Sequence, residues 1–151
     1  MTTSTFQQTA TSPVQDLAPS LRTGALAGLG GGLLFGMMMG MMGMLPMVAK
    51  MVGASSAALG FVLHMGISAF IGATYGSVAR FLPSHTFLHL IAGSLNGLTW
   101  WILGALILMP LALGMPQMVL VVGQPQVMSL VGHLFFGIVT ALVFSRLNRK
   151  A

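Results

Sequence analysis

His64 and His133 are the side chains whose type and surroundings suit them best to chemistry. Each sits in a row of small residues spaced four apart, Gly60-x-x-x-His64-x-x-x-Ser68 and Ser129-x-x-x-His133-x-x-x-Gly137. On a helix that spacing puts each imidazole on the same face as its small neighbours. Two imidazoles at matched positions form a ligand pair for a haem iron, in haem b or another tetrapyrrole, or for one metal ion. A flat macrocycle needs small residues beside its ligands, and Gly60, Ser68, Ser129 and Gly137 meet that need. The same imidazoles serve equally well as hydrogen-bonding groups between helices. Both readings stand at the level of the sequence.

The stretch Gly36 to Met47, "GMMMGMMGMLPM", concentrates thioether sulfur. Along one continuous helix Met37, Met41 and Met44 share a face at i, i+4 and i+7, with Met47 and Met51 continuing it, while Met38, Met39 and Met42 point elsewhere. Soft thioethers select Cu(I), and imidazole also suits copper, so Met37, Met41 and Met44 with His64 or His133 compose a copper site. Methionine is also a flexible filler of irregular apolar gaps. Other chemistry is poorly provided for. There is no cysteine, and the one acidic residue, Asp16, lies near the start of the chain. Without a carboxylate in the apolar segments, neither a hydrolytic triad nor the usual proton relay can be assembled. "GLGGGLLFG" has the glycines of a phosphate loop but follows no strand. No catalytic residues are assigned, and the chain is read as non-enzymatic.

The elements that must position these side chains are membrane helices. Of the residues, 56% are hydrophobic and 5% charged, against about a quarter charged in a soluble domain. A bilayer core of about 30 Å takes about 20 apolar residues to cross. Four such runs are predicted, over 22–45, 57–79, 87–109 and 127–146, in a single all-α transmembrane domain covering 21–151. Residues 1–20 read as a flexible polar tail and not as a signal peptide, which would start with a basic region. Arg22, Arg80, Arg146, Arg149 and Lys150 all fall at one end of a four-span bundle, with Lys50 alone at the other. By the positive-inside rule both termini are then cytoplasmic. Cations so scattered by sequence form no nucleic-acid surface.

An internal repeat is predicted as well, a tandem duplicated helical hairpin. Ala27-Gly28 aligns with Ala92-Gly93, Gly40 with Gly104, Leu45-Pro46 with Met109-Pro110, and the two histidine rows with each other. Two-span units enter the membrane in the same orientation, so equivalent residues share a depth. Span one carries glycine at 24, 28, 32, 36 and 40, and span two carries Gly60, His64, Ser68, Gly72 and Gly76. Such rows let backbones approach closely, within the bundle or between subunits. Pro46 and Pro110 are expected to end spans one and three, and Ser55 or Ser56 to cap span two. Trp100 and Trp101, near mid-span, need partners or a polar cavity. The apolar segment 111–127 is expected to lie in the interface or fold back over the mouth of the bundle. His85 and His89 read as interfacial.

The segments "WWILGALILMPLALGM" and "SLVGHLFFGIVTALVF", with "MGMLP" and "GFVLHMGISAFIGATYG" in the first half, resemble those of small bacterial four-span membrane proteins of unassigned function, distantly including YagU-type inner-membrane proteins. The resemblance covers residues 24 to 146 and implies a bacterial inner-membrane protein, with no activity attached. The function expected from these features is that of an accessory or structural subunit of a membrane complex, or of a self-associating bundle, in contact with the lipid bilayer and other membrane subunits. Haem binding at His64 and His133 is the alternative, and copper binding through Met and His the second.

Overall fold

A computed structural model describes residues 16–148, which are helical throughout apart from short turns and contain no strand. The first span is α1, Leu17–Met41, followed by a short α2, Leu45–Lys50. The second is α3, Ala57–Ala79. The third runs from Thr86 to Ala112 as α4, Thr86–Trp100, a π-helical stretch, Trp101–Leu108, and α5, Met109–Ala112. A single 3-10 turn, Pro116–Met118, precedes the fourth, α6, Gln124–Asn148. All four are long and apolar enough to cross a membrane. The chain is therefore a multi-pass integral membrane protein. Arg149 and Lys150 lie outside the described residues, as do residues 1–15 of the expected tail. Residues 17–20 of that tail belong to α1. Pro19 falls in the first turn, where its missing N–H leaves no bond unmade, and Ser20 is already buried.

The four spans form a closed ring in the order α3, α1, α6, α4, with the contact of α4 back onto α3 the slightest. Its closest contact is between α1 and α3, antiparallel neighbours that meet backbone to backbone. A methyl at Gly24 would overlap the Gly72 carbonyl, and one at Gly28 would lie 2.7 Å from the Gly72 Cα. Gly32 faces the Ser68 side chain, and Gly36 faces Phe61 and His64. Contacts of the same kind join α4 to α6. A methyl at Gly93 would overlap the Gly137 carbonyl and sit 2.7 Å from the Ala141 Cβ, and one at Gly97 would overlap the carbonyl of His133. Between α1 and α6 Gly31 lies against Phe136 and Thr140, and Gly132 against Phe35 and the tip of Met38. Most glycines of the rows thus face another helix of the same chain.

The end of span one differs from expectation. Gly43, not Pro46, terminates α1. With φ of +67°, Gly43 closes a Schellman motif in which its N–H donates to the Gly40 carbonyl at 3.1 Å and the Met44 N–H to the Met39 carbonyl at 2.9 Å. Pro46 instead starts α2, where its fixed φ suits a first turn. The chain therefore turns at Gly43 and lays α2 across the end of α3, with the Leu45 carbonyl against Gly60. Ser56 caps α3 by accepting from the Leu59 N–H at 3.4 Å.

Pro110 does not stop span three either. Lacking an N–H, it cannot donate to Leu106 four residues earlier. The buried Leu106 carbonyl accepts instead from the N–H of Leu120, at 3.0 Å. This bond ties the apolar connection back onto the third span. Leu120 adopts φ of +59° to make it, the one non-glycine positive φ among the described residues.

Backbone contact between α1 and α3 sets a sharp expectation. Gly28→Ala should lower stability by about 1–3 kcal/mol, because the added methyl meets backbone that cannot move aside. Gly66 faces outward with nothing within 4 Å of an added Cβ, so Gly66→Ala should raise stability by up to about 1 kcal/mol through helix propensity. Thermal unfolding in detergent micelles would compare the two, and equal effects would contradict the packing described.

Candidate functional site

Both histidines reach one cavity. It occupies about 300 Å³ in the half of the bundle away from the termini, bounded by α1, α2, α3, the π-helical stretch and α6. His64 and Ser68 approach it from α3, and Ser129 and His133 from α6. Phe35, Phe70, Trp100 and Phe136 supply aromatic wall. Half of the chain's fourteen methionines line it: Met38, Met39, Met42, Met44, Met51, Met109 and Met128. Thioether sulfur is thus concentrated around one cavity that opens at Met42.

The methionines that do so are not the ones read along an unbroken helix. Met37 and Met41 face outward, 49% and 83% exposed, while Met38 and Met39 turn inward. The glycine row at 24, 28, 32 and 36 fixes the rotation of α1 against α3. Residues one turn beyond that face, Met38, Met39 and Met42, consequently meet the bundle interior. Met44 lines the cavity by another route, because the Schellman turn at Gly43 removes it from the helix altogether.

The two imidazoles are held differently. His64 is buried on α3, and its Nε2 lies 3.0 Å from the Gly32 carbonyl of α1. A carbonyl only accepts, so this nitrogen carries the proton and donates across the helix pair. On α6 it is Nδ1 of His133 that bonds, to the Ser129 carbonyl one turn back at 2.8 Å, with the Ser129 hydroxyl 3.3 Å away. That fixes the proton on Nδ1 and leaves the Nε2 lone pair open, with no hydrogen-bond partner among the described residues. Between the rings stands Phe35, edge-on to both, its centroid 5.4 Å from His64 and 5.0 Å from His133.

This arrangement does not suit a bis-histidine haem. Phe35 fills the space a macrocycle would need, and the nitrogen His64 would present to iron is bonded to Gly32. The small residues that flank the histidines serve helix contact: Gly60 receives the Leu45 carbonyl, Ser68 faces Gly32, and Gly137 abuts Gly93. Ser68 and Ser129 also border the open space beside their histidines.

Sequence reasoning missed a second polar cluster, at the termini end. His89 is buried between helices, and the Tyr75 hydroxyl stands 3.0 Å from its Nδ1 and 3.2 Å from its carbonyl. Phe144 packs edge-on against Tyr75, with centroids 5.3 Å apart. The signal was present. His89, Gly93 and Gly97 form the same four-residue row as His64 and His133, and they are the buried residues of α4. This cluster is buried in the termini half of the bundle and does not line the cavity. His85 is exposed. Both indoles find partners: Trp100 Nε1 donates to Thr74 Oγ1 at 3.2 Å, and Trp101 Nε1 to the Gln126 carbonyl at 2.9 Å.

No group of three or more His, Cys, Asp or Glu side chains suited to a metal occurs among the described residues. No protein-family model, curated protein or solved structure matches the chain. The resemblance to YagU-type proteins gains no support from these comparisons, and the site is read from its own geometry.

That geometry fixes the tautomers. Nitrogen-15 NMR of histidine-labelled protein should show His64 protonated at Nε2 and His133 at Nδ1. Ser129→Ala should leave the His133 tautomer unchanged, because the shorter bond is to the backbone carbonyl. Identical tautomers at the two positions would contradict the site as described.

Proposed function

We propose that this is a non-catalytic protein of a bacterial inner membrane, with both termini cytoplasmic, whose bundle holds a small, weakly hydrated guest inside the bilayer. The cavity carries this reading. Ligand sites are concave and mostly apolar, with a few placed polar groups, and here one unpaired imidazole nitrogen accompanies a wall of aromatic and thioether groups. The location and orientation rest on the distribution of Arg and Lys and on the sequence resemblance. Support for a duplicated hairpin comes from the like contacts at Gly28 with Ser68 and Gly72, and at Gly93 with Gly137 and Ala141.

Gly104 lines the cavity and has nothing within 4 Å of an added Cβ. Gly104→Leu should therefore fill the cavity without disturbing the helix contacts. In a Trp101→Phe background Trp100 is the remaining indole, and a small brominated alkane should quench its fluorescence with a saturable component. Gly104→Leu should remove that component. Purely linear quenching in both proteins would defeat the reading.

A second reading, an accessory subunit or self-associating bundle, is favoured by a separate observation. Of the four spans, the third buries the least of itself inside the chain. Its outward face, which includes Leu95 at 57% exposure, is the surface a neighbouring subunit would cover. The chain has no cysteine, so Leu95→Cys introduces a single thiol. Oxidation in native membranes should cross-link it, while Val62→Cys on α3 should stay uncoupled; equal behaviour of the two would count against a specific lateral contact.

A further inference from the structure

We infer that the guest is a soft monovalent cation, Cu(I), held by His133 Nε2 and the cavity thioethers, with Met38 the first of them. The inference rests on the reading of the cavity as a guest site and assigns the chemical class. Three observations converge on it.

The first is the state of His133. A metal-bound histidine commonly donates its other ring N–H to a carbonyl or carboxylate, which fixes the tautomer and raises the basicity of the ligating nitrogen. The Nδ1 bond to the Ser129 carbonyl at 2.8 Å is that arrangement, and Nε2 is left as the donor atom beside the cavity.

The second is the placement of sulfur. The Met38 tip lies against Gly132, the residue preceding His133: a methyl there would sit 2.8 Å from Met38 Cε. The thioether and the imidazole therefore share one level of the bundle. Towards the loop end the sulfurs continue at Met42 and Met44, and Met42 is 43% exposed. Soft donors thus run from the exposed mouth to the part-buried imidazole of His133, a path along which an ion can pass between neutral ligands.

The third is charge. No Asp, Glu, Lys or Arg lines the cavity, so an ion held there keeps its full charge in a medium of low dielectric constant. The desolvation penalty grows with the square of the charge and is already several kcal/mol for a single unit. Zn(II) and Cu(II) would carry about four times that penalty without a carboxylate or thiolate to offset it. Cu(I) carries the smaller penalty, and thioether and imidazole ligands match its softness. The same argument separates the site from hard cations, which need oxygen ligands.

The test is a competition titration of detergent-solubilised full-length protein with Cu(I), using a chromophoric Cu(I) chelator under reducing conditions, repeated with Ag(I). The protein should retain one Cu(I), with both sulfur and nitrogen neighbours in X-ray absorption. His133→Gln and the Met38→Leu/Met42→Leu double variant should each weaken retention at least tenfold. Met37→Leu/Met41→Leu, on the outward face, should stay within twofold of the parent. Met-to-Leu changes conserve volume and are well tolerated, so the methionine pairs decide the matter even where His133→Gln fails to fold. Loss of retention in the outward pair equal to that in the inward pair, or absorption spectra without sulfur neighbours, would overturn the assignment. No Cu(I) retention alongside saturable quenching of Trp100 by the brominated alkane would remove the cation and leave the guest site standing. Failure of both would remove both.

Discussion

Backbone contact between α1 and α3 is the constraint on which the remaining structure depends. In a bilayer, lipid tails are as apolar as leucine, so burying apolar side chains gives helices no reason to associate. What remains is dispersion at short range, and it falls steeply with distance. Glycine at 24, 28 and 32 facing Gly76, Gly72 and Ser68 brings two whole backbones into contact over several turns. Gly93 and Gly97 do the same for α4 against α6. Because these contacts tolerate no added atom, they fix the rotation of each helix as well as its distance. Every inward-facing side chain follows from that rotation, including the choice of Met38 over Met37.

The two ends of the bundle then diverge for one reason. Towards the termini the small rows remain in register, and the space between helices closes on Ala27, Tyr75, Ala79, Ala141 and Phe144, all nearly inaccessible. Tyr75 and His89 hydrogen-bond to each other within that closed region. Towards the loops the rows give out. Gly40 meets nothing nearer than a side-chain methyl of Leu45, and α2 takes over from α1 as the cover of α3 at Gly60. The backbones can no longer touch, and flexible methionine side chains border the gap. Thioether chains suit such a space because they adapt to irregular gaps and contact aromatic rings favourably.

Much of this was legible in the sequence, because membrane insertion leaves composition and spacing few ways to be satisfied. Four spans, the i+4 rows, the Ser56 cap and the convergence of His64 and His133 on one region follow from hydropathy and helical period alone. The expected ends of spans one and three did not. Proline was taken as the stop signal, yet Gly43 acts three residues earlier through its left-handed backbone, and Pro110 is accommodated by a hydrogen bond from Leu120, which no local pattern reveals. Choosing the inward methionines required the rotation of α1 about its axis. In a run as dense as Met37 to Met42 every face carries sulfur, so periodicity has nothing to discriminate. His89 was legible in principle from its spacing to Gly93 and Gly97, but its closeness to the helix start made an interfacial place look sufficient.

The third span shows how the cavity and the irregular helix arise together. His89, Gly93 and Gly97 put a small or fitted residue at every fourth position, and the next position in that row is Trp101. An indole cannot enter a backbone contact, and the π-helical stretch begins at this residue. Wider turns advance the chain by less rotation per residue, which carries the later side chains out of phase with the contact face. Trp101 is then free to bond the Gln126 carbonyl, Trp100 bridges to Thr74 on α3, and Gly104 is brought to the cavity wall. The indole bonds hold the third span to both neighbours where glycine contact no longer can. They keep the far half of the bundle joined while leaving its centre open. The cavity is therefore a consequence of where the small-residue rows stop, and the two adjacent tryptophans are what allow them to stop there without the bundle coming apart.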